Sequence, residues 1–441
     1  MPVADIAAAP PFLRLPEWHS ATLPGGRLSD RDRRLVEGLK AKGQLVVEEL
    51  LSGLRVQTRA WVGLVRLDTV EIRITPKLAG DALGVARMLA FTRGIEGLQR
   101  STGVQPINTT KTTDLLELLA QMLAEAAERV VRGGLFAAYE EHENELTTVR
   151  GRLLVDKQIL TRFGRADRVL CRFDELEHDT DENRLLALAL HVCARRVHRE
   201  NLHRRLRYLA GLFSEVCSPE LLELETARGA LTYDRQNAHY REAHGLAWLI
   251  LDGFGVRDPL ALHAPTQSFA FLLNMNSLFE EFVWRLIERL FPAPEYRVEP
   301  QGRNWSVLWD LMANRPYRSI RPDVVVRQRQ DGTSCVAIDA KYKRFDAVDV
   351  SSADIYQCLL YAQAYAPADE QSTPTAFLVY PTSRAEPHAE TVRLRRPDRG
   401  RAADVVIVGL PVRSTLERLQ DPDGSPGIML RDVIRQALSG T

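Results

Sequence analysis

The sequence predicts an α+β multidomain protein: a β-rich N-terminal domain, a helical middle region and a C-terminal α/β domain with a mixed sheet. Three observations predict this. Residues 62–76 read VGLVRLDTVEIRITP, in which Val70, Ile72 and Ile74 alternate with Glu71, Arg73 and Thr75, the period of a half-buried strand. Residues 114–134 and 180–213 carry apolar residues at helical spacing. From about Ser268 onward, a helical run, an apolar hairpin, a second helical run and three strand-like runs follow one another, the mixture expected of an α/β domain.

Each element has a local reason. Leu45 to Val56 lies upstream of the alternating strand, and Pro76 ends that strand because proline donates no ladder hydrogen bond. Asp114 and Glu117 form a capping-box pattern ahead of the helix, and Gly133 and Gly134 stop it. Thr180 to Phe213 reads as one or two long helices, with Phe173 to Asn183 as an acidic, helix-capping junction before them. Helices are expected over Ser268–Leu290 and Ala353–Tyr365, and strands over Ala376–Tyr380, Thr391–Arg395 and Ala403–Leu410. The resulting segments are a loose Pro-, Ala- and Gly-rich extension over 1–30, the β-rich domain over 31–110, a mainly helical linker or stalk over 111–265 and the α/β domain over 266–441.

Composition bounds the function. The chain has 441 residues, 45% hydrophobic and 26% charged, with a formal net charge of zero, so a polyanionic partner needs a local basic surface or a metal ion. None of the five cysteines, Cys171, Cys193, Cys217, Cys335 and Cys358, forms a CxxC pair, which argues against zinc or iron–sulfur ligation. Their odd, scattered placement suits a reducing cytoplasm, the expected location. The N-terminus lacks a signal-peptide pattern, and the apolar runs are too short to span a bilayer, so no membrane partner is expected. No G-x-x-x-x-G-K-[ST] loop occurs, so the chain is not expected to hydrolyse nucleotide itself, and no site suited to reading a modified base is evident.

The most informative stretch is RPDVVVRQRQDGTSCVAIDAKYK, Arg321 to Lys343. Asp331-Gly332 is a turn signal between two β-branched runs. Asp339 and Lys341, two apart on a strand, share a face, and hairpin pairing brings Asp323 to the same end. Phosphodiester hydrolysis calls for such a set, because a hard cation held by carboxylates neutralises charge developing on phosphate. On that reading Asp323 and Asp339 are Mg²⁺ ligands, with Mn²⁺ as a substitute, and the backbone carbonyl of Ala340 adds an oxygen. Lys341 orients or deprotonates the attacking water and stabilises phosphate charge. Glu280 shares a helix side with Val283 and Ile287, whereas Glu281 aligns with Arg285 and Glu288, so Glu280 is the inward carboxylate. Gln357 and Tyr361 lie four apart on one helix face, within reach of water or phosphate. Lys343, Tyr361 and Arg321 are the residues expected to contact DNA backbone phosphate.

Plainer readings exist for each residue. A lone DxK is common and equally describes a strand-end ion pair. Asp323 after Pro322 suits a turn, Glu280 an exposed helix face, and Gln357 and Tyr361 a core edge. Arg195, Arg196, Arg199, Arg204, Arg205 and Arg207 are either DNA contacts or, more simply, the solvated face of a helix. The ordered set Glu280, Asp323, Asp339-x-Lys341, Gln357 is more specific than any member.

That set resembles the PD-(D/E)xK nuclease superfamily, with RPD at Arg321 to Asp323 and DAK at Asp339 to Lys341. The chain further resembles the McrC family, the nuclease subunit of McrBC modification-dependent restriction systems. The resemblance runs from about residue 40 to 410 through VGLVRLDTVEIRITPKLAG, VRGRL, FDELEHDTDENRLL, MNSLFEEFV, RPDVVV, DAKYK and QCLLYAQAY. It implies a C-terminal PD-(D/E)xK domain that cleaves double-stranded DNA with Mg²⁺. It also implies an N-terminal part that contacts a hexameric AAA+ NTPase of the McrB type and stimulates its nucleotide hydrolysis. Two other readings are a non-catalytic adaptor that activates an AAA+ partner and a stand-alone DNA repair nuclease.

Overall fold

A computed structural model describes residues 12–77, 82–94, 114–163, 165, 167–256, 268–301, 305–329, 334–343, 345–346, 349–366, 373–395, 401–418 and 427–439. The chain divides into two compact units, one made of residues 1–115 with 272–441, the other of residues 116–271. The N-terminal and C-terminal segments, expected from sequence as separate domains, thus share one unit. The boundaries expected near residues 110 and 265 fall outside the described residues.

The first unit opens with strands β1 (Phe12–Pro16) and β2 (Ser20–Pro24), helix α1 (Asp30–Ala41), strands β3 (Leu45–Leu50), β4 (Gly53–Thr58), β5 (Trp61–Arg66) and β6 (Glu71–Thr75), and helix α2 (Ala82–Arg93). Strand β1 pairs in parallel with β6, Phe12 against Glu71 through Pro16 against Thr75, and β2 pairs with β4. Residues 12–16 and 20–24 are therefore strands where a loose extension is expected from sequence, and residues 1–11 lie outside the described residues. Local composition could not show this, because the pairing partner lies some sixty residues away. Helix α1 starts where the pattern of a capping box demands: Ser29 Oγ accepts from Asp32 N and Asp32 Oδ2 accepts from Ser29 N, both at 3.2 Å.

The second unit contains helix α3 (Leu115–Gly133), strands β7 (Ala138–Leu146) and β8 (Arg152–Leu153), helix α4 (Val155–Arg162), strand β9 (Val169–Glu177) and helices α5 (Asp181–Ala194), α6 (Glu200–Ser214), α7 (Leu224–Ala230) and α8 (Arg241–Phe254). The run from Thr180 to Phe213 is two helices. At the junction ahead of α5, the buried Asn183 amide donates to Phe136 O and His178 O and its carbonyl accepts from Tyr240 OH at 2.6 Å. Several arginines of this basic run are committed inside this unit, while Arg207 is exposed. Arg205 grips Glu128 at 2.5 Å, Arg199 meets Glu117 at 3.1 Å, and Arg204 lies 3.9 Å from Glu200. Arg196 is buried, its guanidinium 4.7 Å from the centre of the Phe254 ring.

The first unit resumes at the end of strand β10 (Phe269–Asn274), followed by helix α9 (Met275–Leu290) and strands β11 (Tyr296–Pro300), β12 (Trp305–Asp310), β13 (Arg315–Ile320), β14 (Val324–Gln328) and β15 (Cys335–Ala340). Helix α10 (Ser352–Ala364), strands β16 (Thr375–Pro381), β17 (His388–Arg395) and β18 (Arg401–Leu410), and helices α11 (Val412–Arg418) and α12 (Gly427–Ser439) complete it. The helix expected from Ser268 begins only at Met275. Phe269–Asn274 is an apolar run that joins the sheet ordered β1-β6-β5-β10, and Asn274 caps α9 by accepting from Asn276 N at 3.0 Å. The Asp331-Gly332 turn lies outside the described residues, although the hairpin it was expected to close is formed.

The principal sheet has the order β11-β14-β15-β16-β18-β17. Strands β15, β16 and β18 run parallel, and the others pair antiparallel, so the sheet is mixed as expected. Helix α10 covers one face with Cys358, Tyr361, Ala362 and Tyr365 against Val325, Ala337, Ala376, Leu378, Val405 and Ile407. Val324, Val325 and Val326 are fully buried, each stabilising the sheet by roughly 1.5–3 kcal/mol. That anchorage lets the adjoining strand ends carry charge.

One buried carboxylate joins the ends of the sequence. Glu17, just past β1, is fully buried; its Oε2 accepts from Lys77 N at 2.8 Å and from Tyr342 OH at 3.0 Å, while Oε1 has no hydrogen-bond partner among the described residues. Burial pushes its pKa up to about 7 against the lowering effect of these donors. The folded protein therefore holds the Glu17 proton more tightly than the unfolded chain, and the stability it contributes is present below the unfolded-state pKa and lost as pH rises toward 7. Between pH 5 and pH 8 the wild type should lose about 1–3 kcal/mol that Glu17→Gln does not lose. Urea denaturation at the two pH values measures this, and identical pH slopes for the two proteins would refute it.

Candidate active site

The β14–β15 register sets the site. Val324 pairs with Ile338, Val325 with Ala337 and Val326 with Val336, so one step further the pairing carries Asp323 to the level of Asp339. Asp323 Oδ2 accepts from Ala340 N at 2.7 Å, which ties the first carboxylate to the strand of the second. On the other side of β15, Lys341 N donates to Val379 O at 2.9 Å, extending the parallel pairing with β16 beyond Ala340. Alternation then directs Asp339 and Lys341 to one side, and sends Tyr342 to the other, where its ring packs 5.9 Å from Phe279.

Asp339 is only 1% exposed. Its Oδ1 accepts a long hydrogen bond, 3.5 Å, from Gln357 Nε2. Its Oδ2 forms an ion pair with Lys341 Nζ at 2.9 Å but takes no hydrogen bond of ordinary geometry, although the atom is buried. Burial raises the Asp339 pKa, opposed by the Lys341 charge. Burial, followed by the neighbouring Asp339 and then Glu280, pushes Asp323 up to about 7 against the Ala340 N–H. Glu280, half-buried on α9, is raised by burial and by Asp339 and lowered by Lys341. Burial works against the Lys341 ammonium, but Asp339 and Asp323 outweigh it and hold its pKa above the ordinary lysine value. Three carboxylates and one cation therefore share a partly dehydrated space, where burial raises all three carboxyls and a single ammonium does not offset it.

Helix α9 distinguishes the two candidate glutamates as its periodicity predicts. Glu280 feels Asp339 and Lys341, whereas Glu281 turns to Arg93 at 3.5 Å. Helix α10 brings Gln357 to the cluster, and Gln357 Nε2 also donates to Tyr361 OH at 2.7 Å. Tyr361 is buried, its hydroxyl pushed up to about 12 by burial, and it donates to the Arg321 carbonyl at 3.1 Å. Tyr361, expected from sequence to contact phosphate, holds the chain leading into Asp323. The Arg321 side chain is exposed and donates to Gln301 Oε1. Lys343 is not on a continued strand, because β15 ends at Ala340. Its ammonium is held by Asp354, at 2.8 and 3.0 Å.

Two supporting residues escaped the sequence reading. Gln301, at φ +48°, donates its N–H to Asp323 O at 2.6 Å, so β11 secures the backbone of the first carboxylate. Nothing local marks it. Asp354 is buried and accepts from Lys343 and from Ser351 Oγ at 2.6 Å, while its N–H donates to Ser351 Oγ at 3.2 Å. Its S-x-x-D spacing at the start of α10 was a legible capping signal.

The donor set suits a hard divalent cation: three carboxylates and a neighbouring backbone carbonyl, with one buried carboxylate oxygen lacking a hydrogen bond. Asp323, Asp339, Glu280 and the Ala340 carbonyl are the groups that would hold it. Thermal unfolding in Mn²⁺ or Mg²⁺ tests the fit without reference to catalysis. A cation at about a hundred times its Kd should stabilise the wild type by about 2.7 kcal/mol and leave Asp339→Asn unmoved. Equal stabilisation of both proteins would place the cation elsewhere.

Comparisons with known proteins bear on this geometry. A family model described as McrBC 5-methylcytosine restriction system component matches residues 56–381. A chain of the refined half-complex from the tetradecameric assembly of Thermococcus gammatolerans McrB AAA+ hexamers with bound McrC superposes with a TM-score of 0.63 at 19% identity, covering 96% of this chain and 99% of that one. A chain of the cryo-EM structure of the Thermococcus gammatolerans McrBC complex gives 0.45 at 22% identity, covering 63% and 88%. No curated protein matches the sequence.

Proposed function

We propose, from the premise that this chain belongs to the McrBC 5-methylcytosine restriction system component family, that it is the McrC-type subunit and cuts double-stranded DNA in a Mg²⁺-dependent reaction. The observation that carries this reading is the convergence of Asp323, Asp339 and Glu280 with the Lys341 ammonium at one end of a mixed sheet. The helix–sheet arrangement around them supports assigning residues 266–441 to the PD-(D/E)xK nuclease fold. The full-length likeness to a chain from McrB hexamers with bound McrC supports a hexameric AAA+ partner, met by the β-rich segment over residues 31–110 and stimulated by it. The cytoplasm, where such a complex would meet foreign DNA, is the proposed location.

Bound Mg²⁺ would supply charge neutralisation at the phosphate and lower the pKa of water. This chain's residues do the rest. Asp323, Asp339 and Glu280, with the Ala340 carbonyl, would hold the cation, whose charge would favour their ionised forms. Lys341, a cation at neutral pH, directs its N–H donors at the attacking water and the phosphate oxygens rather than serving as the resting base. Gln357, tied to Asp339 and Tyr361, orients the carboxylate and the adjacent water. Tyr361 and Gln301 keep Asp323 in register with β15. Water oxygen then bonds to phosphorus as the bond to the leaving oxygen breaks, the water's proton passing to solvent and the leaving oxygen taking one from solvent.

Plasmid cleavage by the full chain with its motor, in Mg²⁺, tests the reading. Asp339→Ala and Lys341→Ala should each lower cleavage by roughly 10²–10³-fold while still stimulating the motor's nucleotide hydrolysis. Cleavage at wild-type rate by either variant would discard the assigned site, and stimulation without any cleavage by the wild type would leave an adaptor.

A further inference from the structure

Among the described residues, strands β12 and β13 form a two-stranded ribbon that pairs with no other strand. Its turn presents Leu311 at 86% and Met312 at 97% exposure, with Trp309 and Tyr317 also exposed behind them. The turn is built rather than loose. Asp310 Oδ1 accepts from Met312 N at 3.1 Å and Ala313 N at 3.0 Å, Asn314 adopts φ +45°, and Trp309 Nε1 donates to Asn314 Oδ1 at 3.3 Å. Two neighbouring apolar side chains are thereby held outward in water, where covering them would be favourable.

The ribbon is also cationic. Arg315 and Arg318 are exposed and have no ion pair among the described residues, in contrast to Arg199 and Arg205, which pair with Glu117 and Glu128. The only carboxylate on the ribbon, Asp310, is committed to the turn. At its base Ile320 is buried in the core under α10, three residues before Asp323. The arm is therefore fixed to the catalytic end of the sheet.

We propose that this ribbon is a DNA-groove arm of the nuclease: Arg315 and Arg318 bind backbone phosphates, and Leu311 and Met312 wedge against a base step several base pairs from the cut. The proposal rests on the reading of this chain as a DNA endonuclease. A two-stranded ribbon is a shape that a DNA groove admits, and exposed Leu or Met at a turn is the chemistry of an unstacking wedge. A second copy of this chain is a poorer occupant, because its ribbon would bring two more unpaired cations and no free carboxylate. Six residues of β13 span about 20 Å. At about 3.4 Å per base pair, the wedge meets DNA roughly six base pairs from the scissile phosphate.

The experiment uses the full chain with its motor and a duplex that the wild type cuts, carrying 2-aminopurine at successive steps on either side of the cleavage position. In metal-free buffer, a fluorescence rise is expected at a step roughly six base pairs away. Leu311→Ser/Met312→Ser should abolish that rise and weaken duplex binding about tenfold. Arg315→Gln/Arg318→Gln should lower the salt slope of binding by about two. All four positions are exposed, so the variants should fold, and stimulation of the motor's nucleotide hydrolysis checks this. Wild-type cutting with ribbon variants that bind, signal and cut unchanged overturns the inference while the proposed function stands. Loss of self-association in the variants without change in DNA binding also overturns it, by making the ribbon a contact between copies. Failure of the wild type to bind or cut any duplex overturns the proposed function and the arm with it.

Discussion

The site depends on the desolvated carboxylate of Asp339. It sits on a strand whose neighbours are valine, alanine and isoleucine, and it keeps one oxygen buried without a hydrogen bond. Left alone, such a group would take up a proton or loosen the strand. Lys341 offsets part of the penalty at 2.9 Å, but Asp323 and Glu280 add further negative charge. The sheet tolerates this because β15 is paired on both sides and packed under α10, so the strand end cannot relax away from its neighbours. A fold that confines three carboxylates and one ammonium stores a preference for additional positive charge.

The surrounding contacts make that confinement specific. Ala340 N, Gln301 N and the Tyr361 hydroxyl fix the segment around Asp323 from three elements. Asp354 draws Lys343 to the start of α10, and burial of Asp354 is outweighed by the bonds from Lys343 and Ser351, which hold its carboxyl below the ordinary range. The second lysine of the DAKYK stretch is thus committed to the scaffold, while Lys341 stays with the carboxylates. Tyr342 between them reaches Glu17, so the same short stretch also anchors the N-terminal strand within the unit.

The arginines show how little composition says about partners. Of the basic run over residues 195–207, Arg199, Arg204 and Arg205 face glutamates, Arg196 lies buried against an aromatic ring, and Arg207 stays exposed. Arg315 and Arg318, unremarked in the sequence, lack such partners among the described residues and stand on an arm next to the carboxylates. With zero net charge, only local pairing decides which cations remain available for phosphate.

Much of this was legible in residue order, for physical reasons. Period-two and helical patterns mark the strands and helices because one face of each must be buried, and two-residue spacing alone puts Asp339 and Lys341 on one side. The helical period also separates Glu280 from Glu281. Sequence by itself could not assign Phe269–Asn274 to a strand, since a short apolar run suits either a strand or the start of a helix until a pairing partner is known. Nor could it find β1, whose partner β6 is distant, or the support from Glu17, Gln301 and Asp354. Chemistry written into local periodicity belongs to the sequence. Hydrogen-bond partners, burial and the resulting charge balance arise only when distant segments meet, and the tertiary structure decides them.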